Sequence, residues 1–286
     1  MSCVDSTAAL PSQACFLCGG TDFEPYQGRA MLCRNCGILI NLETQPLDYA
    51  EGGGQSPPDA AKMRWRLENA RMRLALITPF LRGHQALIDI GCGSGEMLEV
   101  GATCFRQCLG FDTNGPLIRH IRDRCFNNDR ITVFESHFDG SLLPGNVFSE
   151  KKVFLLSHVL EHLSHPQALV NSIAAAMSSG DLLYLEVPLH SGEAFRRLGF
   201  EWTLWNHEHL ALYSMPALEL LATKANLAIL HRGTRIFARG SHSNKTRVKL
   251  FSRSPLQFLK AALTKGNHSI ADLMMADYGC LVLQKI

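Results

Sequence analysis

The run Ala86-Leu-Ile-Asp-Ile-Gly-Cys-Gly-Ser-Gly-Glu-Met-Leu-Glu-Val100 constrains this chain more than any other stretch. A short apolar strand passes through a glycine turn, and the turn opens a helix. That order predicts an α/β fold in which backbone N–H groups and a helix N-terminus face a ligand. The dinucleotide fingerprint G-x-G-x-x-G needs glycine at position 96, where the chain has Glu96. What stands here is D-x-G-x-G-x-G, from Asp89 through Gly91 and Gly93 to Gly95. A carboxylate ahead of the glycines repels a pyrophosphate and suits an ammonium group, or water around one. Seventeen residues after Gly95, Cys108-Leu-Gly-Phe-Asp112 reads as a second strand that ends in an acid. A carboxylate at that place can take both ribose hydroxyls of an adenosine.

The pairing of this loop with Asp112 resembles the class I methyltransferases that use S-adenosylmethionine. The resemblance covers Lys62 to Ile286. Leu156-Ser-His-Val-Leu-Glu-His-Leu-Ser-His-Pro166 looks like the family's fourth strand and following helix, and Leu182-Leu-Tyr-Leu-Glu-Val-Pro188 like its fifth strand. It implies a doubly wound, seven-stranded Rossmann-like methyltransferase sheet, with Gly279–Ile286 as an antiparallel last strand inserted at its edge. It also implies cofactor contacts. Backbone at Gly91, Cys92, Gly93 and Gly95 lies against the methionine part, with Asp89 behind it. Asp112 and Thr113 hold the ribose, Ser136 and His137 flank the adenine, and Ser157 and His158 close the pocket beside the sulfonium. The family often has an acid where His137 stands.

Cys15-Phe-Leu-Cys18-Gly and Cys33-Arg-Asn-Cys36-Gly are two copies of C-x-x-C-G, fourteen residues apart. Each C-x-x-C turn supplies two thiolates at a bite that fits tetrahedral zinc. The glycine after each pair permits the positive φ that turns backbone amides toward sulfur. Four protein ligands close the site, so Cys15, Cys18, Cys33 and Cys36 are expected to hold a structural zinc. Cys3, Cys92, Cys104, Cys108, Cys125 and Cys280 show no such pattern. The expected organisation is a zinc ribbon over residues 1–50, a linker over 51–61 rich in Gly, Ser and Pro, and a methyltransferase domain over 62–286. Lys62 to Leu81 has helical spacing, with Pro79 near its end.

At 286 residues, 46% hydrophobic and 19% charged, the chain can bury a large core. No apolar run approaches the roughly 20 residues that span a bilayer. The first residues, MSCVDSTAAL, have neither the basic nor the apolar region of a secretory signal, so a cytoplasmic protein is expected. A net charge of +2 argues against a large nucleic-acid footprint. Arg232, Arg235, Arg239, Lys245, Arg247 and Lys249 read as a solvated strand and loop.

The remaining feature is Trp205-Asn-His-Glu-His-Leu-Ala-Leu-Tyr-Ser214. Ser214 followed by Met-Pro-Ala-Leu-Glu-Leu-Leu reads as an N-cap with an early proline, so a helix starts there. The H-E-H run then lies in loop or short extended chain, and in extended geometry His207 and His209 would share one side and Glu208 the other. The segment resembles sugar methyltransferases that also carry an N-terminal zinc ribbon, in which an E-H pair here belongs to the catalytic apparatus. That resemblance gives His209 the role of general base; Glu208 is then expected to orient it and His207 to line the acceptor. A tyrosine expected two positions before the glutamate is Asn206 here. A cation on His207 and His209 would need a further ligand folded in from His162, His165 or His190, and an ordered loop without chemistry is the third reading. Glu161-His162, at the mouth of the cofactor pocket, is another candidate base or wall. The functions in view are methyl transfer to a small-molecule or sugar-linked acceptor, RNA methylation with the ribbon gripping RNA, and a non-catalytic cofactor-binding scaffold.

Overall fold

The computed structural model describes residues 14–44, 56–235 and 278–286. Cys3, the linker residues 51–55 and the basic residues Arg239, Lys245, Arg247 and Lys249 lie outside the described residues. The elements run β1 (Phe23–Tyr26), β2 (Ala30–Cys33), β3 (Leu39–Asn41), α1 (Ala60–Ile77), β4 (Ala86–Ile90), α2 (Glu96–Gly101), β5 (Gln107–Asp112), α3 (Gly115–Arg124) and β6 (Ile131–Glu135). They continue with α4 (Gly145–Phe148), β7 (Lys152–Ser157), α5 (Pro166–Ala176), β8 (Leu182–Pro188), α6 (Glu193–Leu198), β9 (Ala211–Leu212), α7 (Met215–Lys224), β10 (Leu227–Arg235) and β11 (Tyr278–Lys285).

Seven strands form one sheet in the order β10-β11-β8-β7-β4-β5-β6. The β4–β8 strands pair in parallel, and β11 is antiparallel to both β8 and β10. Strands β4 and β8 are buried along their whole length, as near-continuous apolar runs in a parallel sheet must be. One face packs through Ile88, Phe111, Phe154, Leu156 and Leu185. The other packs through Leu87, Val153, Tyr184 and Val282 against Leu74 and Ile77 of α1. Strand order reverses between β4 and β7, so the crevice beyond their C-terminal ends is where such sheets bind ligands.

Local chemistry sets the helix starts. Asp59 caps α1 by accepting from Lys62 N (2.7 Å), Asn114 caps α3 through Leu117 N (3.1 Å), and Ser214 caps α7 through Ala217 N (3.2 Å). The helix predicted at Lys62–Leu81 runs Ala60–Ile77 and tightens into a 3-10 turn at Thr78–Phe80, where Pro79 removes a donor. Strand β10 ends at Arg235 within the described residues.

A second sheet has the order β1-β2-β3-β9. Its first three strands belong to the cysteine-bearing N-terminal part, and β9 comes from the segment after the H-E-H run. Leu39 pairs with Leu212 and Ile40 with Ala211. The two parts also share a core of Ala30, Leu39, Phe195, Leu198, Trp202, Trp205 and Leu212. Among the described residues, no helix is long and apolar enough to cross a membrane.

Candidate active site

β4 leaves the sheet through Gly91, Cys92 and Gly93. The N–H groups of Gly91 and Cys92 donate to the Phe111 carbonyl (2.8 and 3.1 Å), and that of Gly93 donates to Oδ2 of Asp112 (2.8 Å). Oδ1 of Asp112 accepts from Asn114 N (2.8 Å). The carboxylate at the end of β5 is therefore fixed between the glycine turn and the start of α3, with Thr113 half-buried beside it. Gly93 has φ of 54°, and a Cβ built there would meet nothing within 4 Å, so the turn borders open space. Ser136 Oγ, just past β6, is buried with no hydrogen-bond partner, which leaves it available to a ligand. The neighbouring His137 is exposed and Gly95 buried. Open space over a glycine turn, a carboxylate on β5 and an orphan hydroxyl past β6 together fit an adenosine-bearing cofactor. Asp89 sits beneath them, where burial, reinforced by the charge of Glu96, pushes its carboxyl up to about 8.

On the other side of the crevice, β7 ends at Ser157 and the chain turns sharply. His158 has φ of 59°, a left-handed conformation that non-glycine residues rarely adopt. The turn brings Val159 against Gly91, where its side chain occupies the room a Cβ would need. His158 lies between two carboxylates, Nε2 3.1 Å from Glu186 Oε1 and Nδ1 3.2 Å from Glu161 Oε1. Burial alone would lower its pKa, but the two carboxylates outweigh burial and raise it. The fully buried Glu186 also binds Arg73 (2.7 Å), Arg235 (3.1 Å) and the Tyr184 hydroxyl (2.6 Å), with Ser157 Oγ at 3.4 Å. Burial opposes its ionisation, yet Arg73 and Arg235 hold the carboxyl well below its usual range.

Glu161 begins a third cluster. It is fully buried, Oε1 faces His158, and Oε2 has no hydrogen-bond partner. Beside it, the His162 and His209 rings meet edge-on with centroids 4.7 Å apart. His162 Nδ1 is 3.0 Å from the Glu208 carbonyl and His209 Nδ1 is 2.7 Å from the Leu204 carbonyl. A carbonyl can only accept, so each Nδ1 carries a proton. Burial pushes the pKa of His209 down to about 4, with the Glu161 charge only partly opposing it. His209 is therefore a neutral imidazole.

Of the two forms expected for it, loop or short extended chain, the H-E-H run takes the loop. Asn206 Oδ1 accepts from both Glu208 N (2.9 Å) and His209 N (3.1 Å), which folds the run into a turn. His207 is consequently exposed while His209 is buried, so they do not share a side. The contact that orients His209 comes from the Leu204 carbonyl, and Glu208 contributes its backbone carbonyl to His162. Of the three histidines that might have joined His209, only His162 does. His165 is exposed, and His190 Nε2 donates to the Gly37 carbonyl (2.6 Å).

The four N-terminal cysteines converge, with Cys15 Sγ 3.8 Å from Cys36 Sγ and Cys18 Sγ 3.5 Å from Cys33 Sγ. A tetrahedron with Zn–S arms of about 2.3 Å has edges of roughly 3.8 Å, so the donor set fits zinc. Gly19 and Gly37, which follow the two pairs, have φ of 79° and 74°. This unit reaches the H-E-H turn directly: Asn41 Nδ2 donates to the Asn206 carbonyl (2.9 Å) and the His209 carbonyl (3.0 Å).

Sequence reasoning missed Glu186 and its arginines, Asn41 and the role of Asn206. An acid inside the apolar run Leu182–Pro188 is a signal that a buried partner exists, although it does not say which one. Asn three residues before a buried histidine is a turn signal that a strand reading overlooks.

A family model described as a methyltransferase domain matches residues 60–232, more than half of the chain. No curated protein matches the chain. Among solved structures, a SAM-dependent methyltransferase from Anabaena variabilis is 16% identical, with 81% of this chain and 98% of that chain covered and a TM-score of 0.52. The plantazolicin methyltransferase BpumL, solved with SAH, is 14% identical over 79% of this chain and 86% of its own, with a TM-score of 0.50. The [4+2]-cyclase SpnF is 16% identical over 76% and 80%, also with a TM-score of 0.50. A cyclase among these neighbours shows that the fold alone does not name the chemistry.

Proposed function

The chain belongs to the methyltransferase domain family, and from that premise we propose that it moves the methyl group of S-adenosylmethionine to an oxygen or acidic carbon of a small-molecule or sugar-linked acceptor, with His209 taking the proton that the acceptor loses. The observation that carries this reading is the state of His209: a buried neutral imidazole with Nδ1 tied to the Leu204 carbonyl and the Glu161 carboxylate close by. Methyl transfer is an in-line displacement on carbon already activated by positive sulfur. The protein has to align the acceptor and remove a proton. Glu161, buried beside the ring, stabilises the imidazolium that forms.

The cofactor side is the glycine crevice. Backbone at Gly91, Cys92, Gly93 and Gly95 takes the methionine part, Asp89 its ammonium, Asp112 and Thr113 the ribose, and Ser136 and His137 the adenine. Ser157 and His158 border the sulfonium. His158 joins the two sides, since it touches Glu161 and its neighbour Val159 packs on Gly91. Zinc at Cys15, Cys18, Cys33 and Cys36 holds together a unit too small to fold by burial.

The test is His209→Ala, assayed with an acceptor found by screening with methyl-labelled cofactor. A base acts on turnover and not on cofactor affinity, so turnover should fall on the order of 10²–10⁴-fold with S-adenosylmethionine binding intact. Near-normal turnover would remove His209 from the chemistry. Loss of cofactor binding would move it to the wrong side of the crevice.

A further inference from the structure

We propose that His158 is a positioning residue for the base: clamped between the buried carboxylates of Glu186 and Glu161, it holds Glu161 as a fixed anion beside His209. The inference rests on the reading above only for the part that His209 plays. The two ring nitrogens of His158 face carboxylates on different elements. Nε2 lies 3.1 Å from Oε1 of Glu186 on β8, and Nδ1 lies 3.2 Å from Oε1 of Glu161 in the turn after β7. Glu186 is an anion already bound by two guanidinium groups, so Nε2 donates to it. The proton between Nδ1 and Glu161 settles on the ring, because imidazole is the stronger base by roughly two pH units and Glu186 adds an anion behind it. With a donor at each nitrogen the ring is an imidazolium, and both contacts are charge-assisted bonds. The main chain is held to the same place, since His158 N donates to the Glu186 carbonyl (2.9 Å). Its φ of 59° is a left-handed conformation that glycine would adopt without strain. A side chain at such a position points to a task for it.

Around the ring stand Glu186 from β8, Glu161 from its own turn and Tyr278 from β11, which meets it edge-on with centroids 4.8 Å apart. Arg73 of α1 and Arg235 of β10 reach it through Glu186, and His162 and His209 through Glu161. Glu161 is fully buried, and burial opposes its ionisation. The bond and the charge of His158 outweigh burial and hold the carboxyl below its usual range. One donor atom each of Glu161, His162 and His209 lie within 4.8 Å of one another, so the anion is in place to stabilise an imidazolium at His209. A Glu161 that took up a proton would be neutral and would lose that function. His158 therefore acts on the base through Glu161.

The experiment is nitrogen-15 NMR of the full-length, histidine-labelled protein without cofactor or acceptor, read together with infrared spectra of protonated carboxyl groups. In wild type the His158 signal, identified by its loss in His158→Asn or His158→Gly, should show both ring nitrogens protonated at pH 7. Glu161→Gln should lower the pH at which that ring loses its proton by roughly 1–3 units. Asparagine tolerates the left-handed turn and still donates one hydrogen bond, but it carries no charge. His158→Asn should therefore gain one protonated carboxyl at pH 7 that is missing from the double variant His158→Asn/Glu161→Gln. A role confined to the backbone turn would leave the carboxyl spectrum as in wild type. His158→Gly, which relieves the backbone, should gain the same carboxyl and stands in if His158→Asn fails to fold. A wild-type ring with one bare nitrogen at pH 7, an unmoved titration in Glu161→Gln, or no gained carboxyl would overturn the clamp. No acceptor is needed, so this failure is distinct from failure of the proposed base, which is read from turnover.

Discussion

Asp89, one residue before the end of β4, and Asp112, which closes β5, lie on adjacent strands, yet their surroundings give them different tasks. Asp112 is anchored by two backbone N–H groups at the edge of open space. Replacing it with alanine should weaken S-adenosylmethionine by about 1.5–3 kcal/mol, the worth of a charge-assisted bond. Asp89 is buried, and its carboxyl is raised to about 8 against an unfolded value near 3.9. Between those values the unfolded chain sheds the proton first, so the contribution of Asp89 is full at acid pH and is lost as pH rises toward 8. Asp89→Asn should therefore flatten the fall in stability from pH 5 to 8 seen in urea midpoints, and it should be the more stable protein at pH 8. Equal slopes would mean that Asp89 is already ionised. Asp112 was legible from the sequence because its spacing after the glycines is local. The environment of Asp89 was not, because α1, β5 and α2 surround it only once the chain has folded.

At the scale of elements, the account depends on β9 pairing with β3. A two-residue strand leaves no periodicity to read, so the doubled C-x-x-C-G was legible while its function as a support for the H-E-H turn was not. The support is concrete: the β3–β9 ladder, Asn41 on the carbonyls of Asn206 and His209, and Ser214 Oγ donating to the Cys36 carbonyl (3.3 Å). One zinc per chain is expected from elemental analysis, and Cys33→Ser should abolish it. Asn41→Ala leaves two carbonyls without their shared donor and should cost about 1–3 kcal/mol of local stability. Amide exchange at residues 206–212 should speed up accordingly, while the glycine turn at 91–95, which does not touch Asn41, should exchange as before. Unchanged exchange at 206–212 would mean that the ribbon only leans against the turn.

For the whole molecule, individual strands such as β4 and β5 were legible as short apolar runs, while their place in a parallel sheet with an inserted last strand came from the resemblance to the class I methyltransferases. Neither the runs nor the resemblance foretold the centre. Glu186 draws Arg73 from α1, Arg235 from β10 and His158 from the β7 turn into one buried cluster, and long-range pairing of this kind leaves no local pattern. The cluster ties the helix over one face to the sheet's far edge. Glu186→Gln should destabilise the fold by about 3–5 kcal/mol in denaturant midpoints, since it strands two buried guanidinium groups. The central claim is that one crevice has two sides, cofactor on the Asp112 side and proton removal on the His209 side. Calorimetric titration of S-adenosylmethionine into wild type, Asp112→Ala and His209→Ala tests it most directly. The account predicts micromolar binding in wild type, about −8 kcal/mol, roughly 10- to 150-fold weaker binding in Asp112→Ala, and wild-type affinity in His209→Ala. Equal affinity in wild type and Asp112→Ala, or lost affinity in His209→Ala, would contradict it.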